Sequence, residues 1–428
     1  MKYLIIGAGP AGLATATAMK AAHLDFDMVD AGDKVGGIWD IDRAETPMYK
    51  SAHFISSKTL SGFKDFPMPV HYPDYPSHAL VQAYIEDYAR HHRLTPNIRF
   101  HTKVIDAKPK DGQWVVRFDD QTERSYQGMV CATGITWHTH LPEIPGPFDG
   151  EYIHSFEYRD SGLFRGKKAL IIGAGNSGCD IACDAAKDAD QAFISLRRGY
   201  YFLPKYILGM PSDVFKEKYR LPSPKLDTWV SEILLNKVLV GNLERYGLPR
   251  PDHRLMESHP IMNNRLLHYL GHGDIVAKGD VARFDGNGVI FEDGSREDLD
   301  IVIAATGYKR MFPFLAEDLI DGTAPGKEID LHLEIFSKRF HNLFFVGGIE
   351  VSSAVFGLFS LQGEVIAAYL QAQQQGKPAY RKFLTQKLTQ ETALRGKKNY
   401  VDSLRHQRYV DKQLYLKALH QQLNTFAA

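Results

Sequence analysis

One arrangement occurs twice in the chain: a short apolar strand, a glycine-rich turn that opens a helix and, much further on, an apolar strand ending in Ala-Thr-Gly. The first copy has GAGPAG at 7–12 and closes with MVCATG at 129–134. The second has GAGNSG at 173–178 and closes with IVIAATG at 301–307. A G-x-G-x-x-G turn between a strand and a helix is typical of dinucleotide-binding βαβ units. The repetition predicts an α/β protein with two Rossmann-like dinucleotide-binding domains.

The segments between these motifs predict how the domains are divided. Ahead of each Ala-Thr-Gly, short alternating stretches with aspartate-rich turns predict a small antiparallel insertion. A third apolar strand, LFFVGG at 343–348, indicates that the chain returns to the first domain. We therefore expect a discontinuous first domain over 1–155 and 308–428, and a second domain over 160–307 with an insertion at 200–264.

Composition narrows the class of protein. The 51 basic residues balance the 51 acidic residues, so no nucleic-acid or membrane-surface partner is expected. The most apolar long window, residues 352–370, contains Gln362 and Glu364 and is too polar for a membrane span. Only three cysteines occur, so no disulfide framework is implied, and a reducing, cytoplasmic setting is predicted.

The first glycine turn has features that fit FAD. Its glycines permit a tight turn, let a pyrophosphate approach the backbone and let the helix pack on the strand, with phosphate at the helix N-terminus. Asp30 ends the next strand, where it can bind a ribose hydroxyl, and the glycine pair 36–37 is typical of FAD-binding domains. A plain tight loop is the alternative. The predicted FAD contacts are Gly7, Gly9, Pro10, Ala11, Gly12, Asp30, Gly37, Ile38, Trp39, Thr133, Gly134 and Gln362.

The second glycine turn has the same pattern but a different second strand. AFISL leads into Arg197 and Arg198 rather than into an acidic residue. A carboxylate would repel a 2′-phosphate, whereas guanidinium groups pair with it, so NADPH is predicted here. An arginine pair on a solvated strand end is the alternative. The predicted NADPH contacts are Gly173, Gly175, Asn176, Ser177, Gly178, Arg197 and Arg198.

Two cysteines lie one helical turn apart after this second glycine turn. A redox pair at Cys179 and Cys183 would suggest a disulfide reductase. Their spacing within one helix suits core packing better, because free cysteine packs as a small apolar residue.

The stretch FDGEYIHSFEY at 148–158 joins the two predicted domains, and its histidine and acidic residues could also suit acid–base chemistry. Its spacing, F-x-G-x-x-x-H-x-x-x-Y, runs through Phe148, Gly150, His154 and Tyr158. This resembles the fingerprint of the flavin-containing monooxygenases, which are class B flavoprotein monooxygenases. Related Baeyer–Villiger enzymes usually carry Trp where this chain has Tyr158, so the resemblance favours the branch that oxygenates nitrogen and sulfur. Two further segments agree with it, DFPMPVHYPDYPSH at 65–78 and ATGY at 305–308.

The resemblance implies an FAD monooxygenase that depends on NADPH and molecular oxygen. In such an enzyme a C4a-hydroperoxyflavin transfers oxygen to an amine or a sulfide. The cofactors carry this chemistry, so no catalytic triad, metal site or carboxylate pair is expected. The joining stretch is then a hinge-like connector in which His154 and Tyr158 pin the two domains together.

One position departs from the family pattern. Within YKSAHFISSKTLSGF at 49–63, the family usually has Asn where this chain has Ile55. That Asn is expected to hydrogen-bond the nicotinamide nucleotide and support the hydroperoxide, which isoleucine cannot do. His53 and Ser56 are nearby polar side chains. The predicted catalytic set is Ile55, His53, Ser56, His154 and Tyr158.

Three functions stay open from the sequence. The leading one is N- or S-oxygenation of soft nucleophiles, with Baeyer–Villiger ketone oxygenation as a variant. The second, motivated by Ile55, is an NADPH oxidase or flavin reductase that releases peroxide. The third is a nucleotide-sensing module without catalysis. The predicted partners are a small amine or sulfide and molecular oxygen, and a homodimer remains open as an assembly.

Overall fold

The computed structural model describes residues 2–320, 329–390, 392–403 and 406–427. Its strands are β1 (Tyr3–Ile6), β2 (Phe26–Val29), β3 (Ile98–Arg99), β4 (Val104–Lys110), β5 (Gln113–Phe118), β6 (Glu123–Tyr126), β7 (Met129–Cys131), β8 (His138–Thr139), β9 (Glu151–His154), β10 (Lys168–Ile172), β11 (Gln191–Ser195), β12 (Tyr206–Ile207), β13 (Met210–Pro211), β14 (Ile275–Lys278), β15 (Val281–Asp285), β16 (Gly288–Phe291), β17 (Arg296–Asp298), β18 (Ile301–Ala304), β19 (Tyr308–Lys309), β20 (Leu331–His332), β21 (Phe336–Ser337) and β22 (Leu343–Phe345). Its α-helices are α1 (Pro10–Ala21), α2 (Lys58–Ser61), α3 (His78–His91), α4 (Asn176–Asp188), α5 (Ser212–Lys218), α6 (Pro224–Ile233), α7 (Arg265–His272), α8 (Phe356–Gln374), α9 (Pro378–Thr389) and α10 (Lys412–Ala427).

The first sheet has the strand order β20-β21-β22-β7-β1-β2-β3. Its central strands β22, β7, β1, β2 and β3 are parallel, and β1 is buried along its whole length, as a parallel strand covered on both faces must be. Helices α1, α3 and α8 cover one face around a large apolar cluster. The strands β20 to β22 come from beyond residue 308, so this sheet is built from two separate parts of the chain.

The second sheet has the order β14-β11-β10-β18-β9 and is parallel throughout. Its edge strand β9 is the middle of the 148–158 stretch and pairs with β18, with His154 opposite Ala304. Strand β9 therefore belongs to the sheet that carries the second glycine turn. The sequence instead predicts that residues up to 155 belong to the first domain.

Each sheet carries the small antiparallel unit that the sequence predicts. Strands β4, β5 and β6 form one between β3 and β7, and β15, β16 and β17 form the other between β14 and β18. The 200–264 insertion contains the β12–β13 hairpin, α5, α6 and a π-helical turn at Leu234–Leu239. The chain crosses back to the first domain through β19, which pairs with β8.

The C-terminal helix α10 packs against the first domain through one face. Helix α10 buries Tyr415, Leu419 and Phe426 in the apolar cluster that also contains α8. Its remaining face is largely exposed. Among the helices that the structure describes, none is both long and apolar enough to cross a membrane.

Candidate active site

The first glycine turn is built so that only glycine fits at two of its positions. Gly7 has φ +110°, and a Cβ there would lie 2.4 Å from the Ala132 carbonyl oxygen. A Cβ on Gly12 would lie 1.9 Å from the Gly7 carbonyl oxygen, so the helix packs directly on the strand end. Gly9 precedes α1, and no side chain caps the helix there. The N–H groups of the first helical turn are therefore left to meet a phosphate.

Asp30 fixes the shape of this turn from the end of β2. Its carboxylate is 6% exposed and accepts hydrogen bonds from the Ala8 N–H and the Gly32 N–H, each at 2.7 Å. It also forms an ion pair with Arg43 at 3.0 Å. Two carboxylate oxygens can accept about four hydrogen bonds, so capacity remains for a ribose hydroxyl. Arg43 was missed by the sequence reasoning because it lies in an irregular loop with no periodic pattern.

The predicted glycine pair lies against the first glycine turn. The Gly36 N–H donates to the Ala8 carbonyl oxygen at 3.1 Å. A Cβ on Gly37 would lie 3.1 Å from Gly9 Cα, so the two backbones are in contact. Ile38 and Trp39 follow, and both pack against the apolar cluster of the second domain. This segment therefore lies between the first glycine turn and the second domain.

The Ala-Thr-Gly after β7 completes the cradle. Thr133 has a buried hydroxyl oxygen without a hydrogen-bond partner in the described residues, which is the condition expected of a group that meets a ligand. Gly134 has φ +77° and is exposed. Together with the uncapped helix and Asp30, these residues fit a dinucleotide.

The side chain of Gln362 makes hydrogen bonds within the protein. It is fully buried on α8, accepts a hydrogen bond from the Gly347 N–H at 3.1 Å and donates to the Tyr415 hydroxyl at 2.8 Å. Gly347 in turn lies against Ala11, because a Cβ on Gly347 would be 2.7 Å from Ala11 Cβ. Gln362 thus supports the turn from behind, through Gly347, while Pro10 and Ala11 form the first turn of α1.

The second glycine turn repeats this geometry. Gly173 has φ +99°, and a Cβ on it would lie 2.7 Å from the Ala305 carbonyl oxygen. A Cβ on Gly178 would lie 1.9 Å from the Gly173 carbonyl oxygen, whereas one on Gly175 would meet no atom within 4 Å. Gly175 therefore faces open space at the start of α4, where no side chain caps the helix. This open, uncapped helix end fits a pyrophosphate.

The two residues that open α4 are held differently. The side-chain oxygen of Asn176 accepts a hydrogen bond from the Met262 N–H at 3.0 Å, so Asn176 ties α4 to the end of the insertion. Ser177 lies beside the Tyr49 hydroxyl. This contact brings the first domain next to the second glycine turn.

Arg197 and Arg198 follow β11 at the edge of the second site. Arg197 is exposed, Arg198 is half-buried, and neither guanidinium makes a hydrogen bond or ion pair within the described part of the chain. Burial and the nearby cations Lys309 and Arg197 lower the pKa of His140. The pKa of Asp252 is lowered, mainly by its hydrogen bond with His253 and to a smaller degree by Arg198. Both arginines lie just beyond the carboxyl end of β11.

The segment that contains Ile55 leaves the first domain and runs beside the second domain. His53 is exposed, and its Nδ1 lies 2.8 Å from the Ser51 carbonyl oxygen. Ile55 and Ser56 are half-buried, and the Ser56 hydroxyl contacts the Ser61 hydroxyl at 2.8 Å. Phe54 meets the Trp39 ring edge-on at 4.7 Å between centroids. The segment is therefore joined through Trp39 to the first glycine turn.

His154 and Tyr158 point to different partners. His154 is 2% exposed, and its Nε2 lies 3.1 Å from the Gly307 carbonyl oxygen. Burial lowers the pKa of His154 to about 4, which keeps the ring neutral at physiological pH. Tyr158 is fully buried and donates a hydrogen bond to Asp184 at 3.0 Å. Neither residue has the arrangement of a proton donor to a substrate.

The cysteine pair is part of the core. Cys179 and Cys183 are both free and buried in the apolar cluster of the second domain. Burial raises the pKa of both thiols, that of Cys183 to about 12, so neither forms a reactive thiolate. In the part of the chain that the structure describes, no cluster of side chains could hold a metal ion.

The fold and these two cradles define a protein that binds two dinucleotides, with a joining strand and a loop between them. A family model described as flavin-binding monooxygenase-like matches residues 1–427. Human flavin-containing monooxygenase 5 is 33% identical over 392 residues, which is 85% of this chain and 72% of that protein. The chain belongs to this family, and it is a flavin-dependent monooxygenase that uses FAD and NADPH.

Solved structures show the same fold at low identity. S-allyl-L-cysteine S-oxygenase from Allium sativum has a TM-score of 0.68 at 20% identity, over 99% of this chain and 88% of that one. A steroid monooxygenase bound to NADP has a TM-score of 0.73 at 19% identity, over 99% and 97%. Because both match over nearly the full chain, the fold does not discriminate between their substrates.

Proposed function

We propose that this enzyme transfers one oxygen atom from molecular oxygen to a soft nucleophile, a small amine or sulfide, at the expense of NADPH. The observation that carries the proposal is the position of the segment 53–57, which contacts the first glycine turn through Trp39 and the insertion through Asp213. A loop between two dinucleotide cradles is where flavin, nicotinamide and substrate would meet. The Allium protein that shares this fold is an S-oxygenase, so a sulfide is a substrate class to test first.

FAD is assigned to the first glycine turn and NADPH to the second. The predicted residues of each cradle support this division, as does the acidic Asp30 at the first and the cationic Arg197 and Arg198 at the second. Bound FAD supplies the redox and oxygen chemistry after reduction by NADPH. The protein binds and orients the two nucleotides and shields the reaction from water.

The side chains at the site agree with a protein that positions the cofactors while the cofactors supply the chemistry. Neutral, buried His154 and Tyr158 are engaged with protein partners. They hold the backbone between the cradles and exchange no proton with substrate. A nucleophilic amine or sulfide needs no activation by a protein base. The histidine of this loop, His53, is exposed, and its Nδ1 lies against the Ser51 carbonyl oxygen.

A second candidate function is an NADPH oxidase that releases hydrogen peroxide. The observation in its favour is Ile55, a half-buried apolar side chain at the centre of the loop. Isoleucine can offer no hydrogen bond to the nicotinamide nucleotide or to reduced oxygen, so escape of peroxide would compete with transfer. Both candidates share the FAD and NADPH sites.

The two candidates are separated by one set of product measurements. The FAD-loaded protein is supplied with NADPH and an alkyl aryl sulfide or a tertiary amine, and oxygenated product and peroxide are quantified against NADPH consumed. Oxygenated product in excess of peroxide supports the monooxygenase. Peroxide equal to the NADPH consumed, whatever the nucleophile, supports the oxidase. A ketone in a parallel reaction tests for lactone or ester, which would indicate Baeyer–Villiger oxygenation instead.

The cellular compartment and the oligomeric state of the enzyme are also proposals. The three buried, free cysteines support a reducing cytoplasmic compartment. Fractionation of the native host cell would place the protein. A homodimer is the assembly to be tested by light scattering of the purified flavoprotein.

A further inference from the structure

Asp184, on α4, is a buried carboxylate at which three separate stretches of chain meet. Its side chain is 6% exposed. One oxygen accepts hydrogen bonds from the Tyr158 hydroxyl at 3.0 Å and from the Ser51 hydroxyl. The other oxygen pairs with Lys187 at 2.7 Å. Burial of a carboxylate costs free energy unless donors match it, and here the two hydroxyls satisfy one oxygen while Lys187 satisfies the other.

Residues 49–51 are bound to the second domain one after another, although they belong to the first domain in sequence. The Tyr49 hydroxyl donates to Asp180 at 3.2 Å. The Lys50 N–H donates to the Arg159 carbonyl oxygen at 2.9 Å, and its ammonium pairs with Asp160 at 2.8 Å. The Ser51 hydroxyl is held by Asp184. Met48, Tyr49 and Ala52 are part of the second domain's apolar cluster.

The far end of the same segment is held elsewhere. Phe54 lies on Trp39 of the first domain, and the Phe54 N–H donates to the Pro76 carbonyl oxygen at 2.9 Å. The Ser57 N–H donates to the Asp213 carboxylate of α5 at 2.7 Å. Ile55 therefore lies between an anchor on α4 and an anchor on the first domain and the insertion. A movement of α4 relative to the first domain must change the path of this segment.

Helix α4 connects the anchor to the second dinucleotide site. The helix begins at Asn176, directly after Gly175, where the pyrophosphate is assigned. Asp184 lies about two turns further on, roughly 12 Å along the helix axis. A helix transmits a small displacement of its N-terminus along its axis, because its backbone hydrogen bonds make it stiff compared with a loop.

We propose that Asp184 is a positioning residue: through its hydrogen bonds to Ser51 and Tyr158, it couples occupation of the second dinucleotide site to the geometry of the segment that carries Ile55. The proposal rests on the assignment of NADPH to that site. It requires no contact between Asp184 and either cofactor. Its consequence is that bound NADP⁺ holds the segment in place while oxygen is transferred.

The test measures amide hydrogen exchange in a peptide covering residues 49–58 of the FAD-loaded protein, with and without saturating NADP⁺. We expect NADP⁺ to slow exchange in the wild type. In Ser51→Ala, which removes a single hydroxyl, exchange with NADP⁺ bound is expected to be about tenfold faster, as the loss of a hydrogen bond to a charged group implies. Asp184→Asn, which keeps an acceptor for both hydroxyls but removes its charge, should give a smaller rise in the same direction. Calorimetry should find NADP⁺ affinity in Ser51→Ala within about threefold of wild type, since the cradle itself is unchanged.

A second readout is the ratio of peroxide to NADPH consumed, which we expect to rise about twofold or more in Ser51→Ala because a loosened loop sequesters the reaction less well. The matched control is Lys187→Met, which removes the partner of the other Asp184 oxygen and leaves both hydroxyl contacts. It should keep wild-type exchange. If Ser51→Ala and Asp184→Asn both behave as wild type, or if Lys187→Met has the same effect as Ser51→Ala, the proposal is overturned. The exchange measurement needs no nucleophile, so a failure to oxygenate sulfides would count against the proposed function alone.

Discussion

The Nε2 of His154 donates a hydrogen bond to the Gly307 carbonyl oxygen at 3.1 Å, while its Nδ1 accepts one from the Phe156 N–H at 3.1 Å. The acceptor role of Nδ1 fixes the proton on Nε2, so the ring is neutral and in one tautomer. Gly307 is the glycine of the second Ala-Thr-Gly, just after β18. The fingerprint histidine therefore ties the incoming strand β9 to the point at which the chain leaves this domain.

A first prediction concerns acid stability. The folded-state pKa of His154 is lowered to about 4, mainly by burial, so below about pH 6.5 the unfolded chain binds a proton that the folded chain does not. The free energy of unfolding should therefore fall as pH decreases from about 6.5 to 4. Urea denaturation across this range measures the slope. His154→Gln should reduce the slope, and an unchanged slope would show that other buried histidines account for it.

The fold could be predicted from the sequence because its determining features are local and repeated. The two glycine turns, the strands that end in Ala-Thr-Gly and the antiparallel units each have a short-range pattern, and all occur in the structure. The assignment of β9 to the second sheet could not be predicted, because a four-residue strand does not indicate its neighbour. The packing of α10 on α8 was missed for the same reason, since a charged helix reveals its buried face only when its partner is known.

The site was predicted less completely than the fold. The spacing of the glycines identifies the two turns in the sequence. The residues that contact the rest of the site come from distant positions in the chain. Asp184 and Asp213 are not part of any recognisable motif, and their contacts with Ser51 and Ser57 join residues more than a hundred positions apart. Gln362 was predicted as a cofactor contact, and in the structure its amide makes hydrogen bonds to Gly347 and Tyr415.

A second prediction separates the two roles of glycine in the second turn. Gly175→Ala adds a methyl group where no atom lies within 4 Å, so the protein should fold with a melting temperature close to that of wild type. Its affinity for NADPH should fall about tenfold or more, because the methyl group occupies the path of the pyrophosphate. Gly178→Ala should instead destabilise the fold, since its Cβ would overlap the Gly173 carbonyl oxygen. Thermal melting and NADPH titration of both variants give the comparison. Unchanged NADPH affinity in Gly175→Ala would contradict the assignment.

A third prediction tests the 2′-phosphate contact. Arg198→Ala and Arg197→Ala are expected to raise the KM for NADPH, by about tenfold or more for the arginine that carries the contact, because a charge-assisted hydrogen bond is lost. The KM for NADH should be nearly unchanged, since NADH lacks the phosphate. Steady-state oxidation of both nucleotides measures the two constants. An equal rise for NADPH and NADH would place the arginines elsewhere than at the phosphate.

A fourth prediction concerns the buried hydroxyl of Tyr158. Tyr158→Phe keeps the ring and removes the donor to Asp184, so the free energy of unfolding should fall by about 1.5–3 kcal/mol, as for a hydrogen bond to a charged group. Tyr152→Phe is the matched control, because its hydroxyl donates to the neutral Pro142 carbonyl oxygen at 2.8 Å. Its loss should cost about 1 kcal/mol. If urea denaturation finds the same loss of unfolding free energy in both variants, the charge of Asp184 adds nothing to the hydrogen bond from Tyr158.

A fifth prediction concerns Ile55, where the family usually has asparagine. Ile55→Asn introduces a donor and an acceptor at the half-buried centre of the loop. We expect less peroxide per NADPH consumed, with the rate of anaerobic flavin reduction by NADPH within about twofold of wild type, because an added hydrogen bond supports the nucleotide during oxygen transfer. Ile55→Val is the control and should leave the ratio unchanged. A higher peroxide ratio in Ile55→Asn would show that the loop has adapted to isoleucine.

The central claim is that the enzyme transfers oxygen from O₂ to a soft nucleophile. Its most direct test is turnover of wild-type, FAD-loaded protein with NADPH and an alkyl aryl sulfide under ¹⁸O₂, with mass spectrometry of the sulfoxide. We expect a sulfoxide that carries one ¹⁸O atom and forms in excess of peroxide. Consumption of NADPH with peroxide alone, or a sulfoxide that disappears when catalase is added, would contradict it.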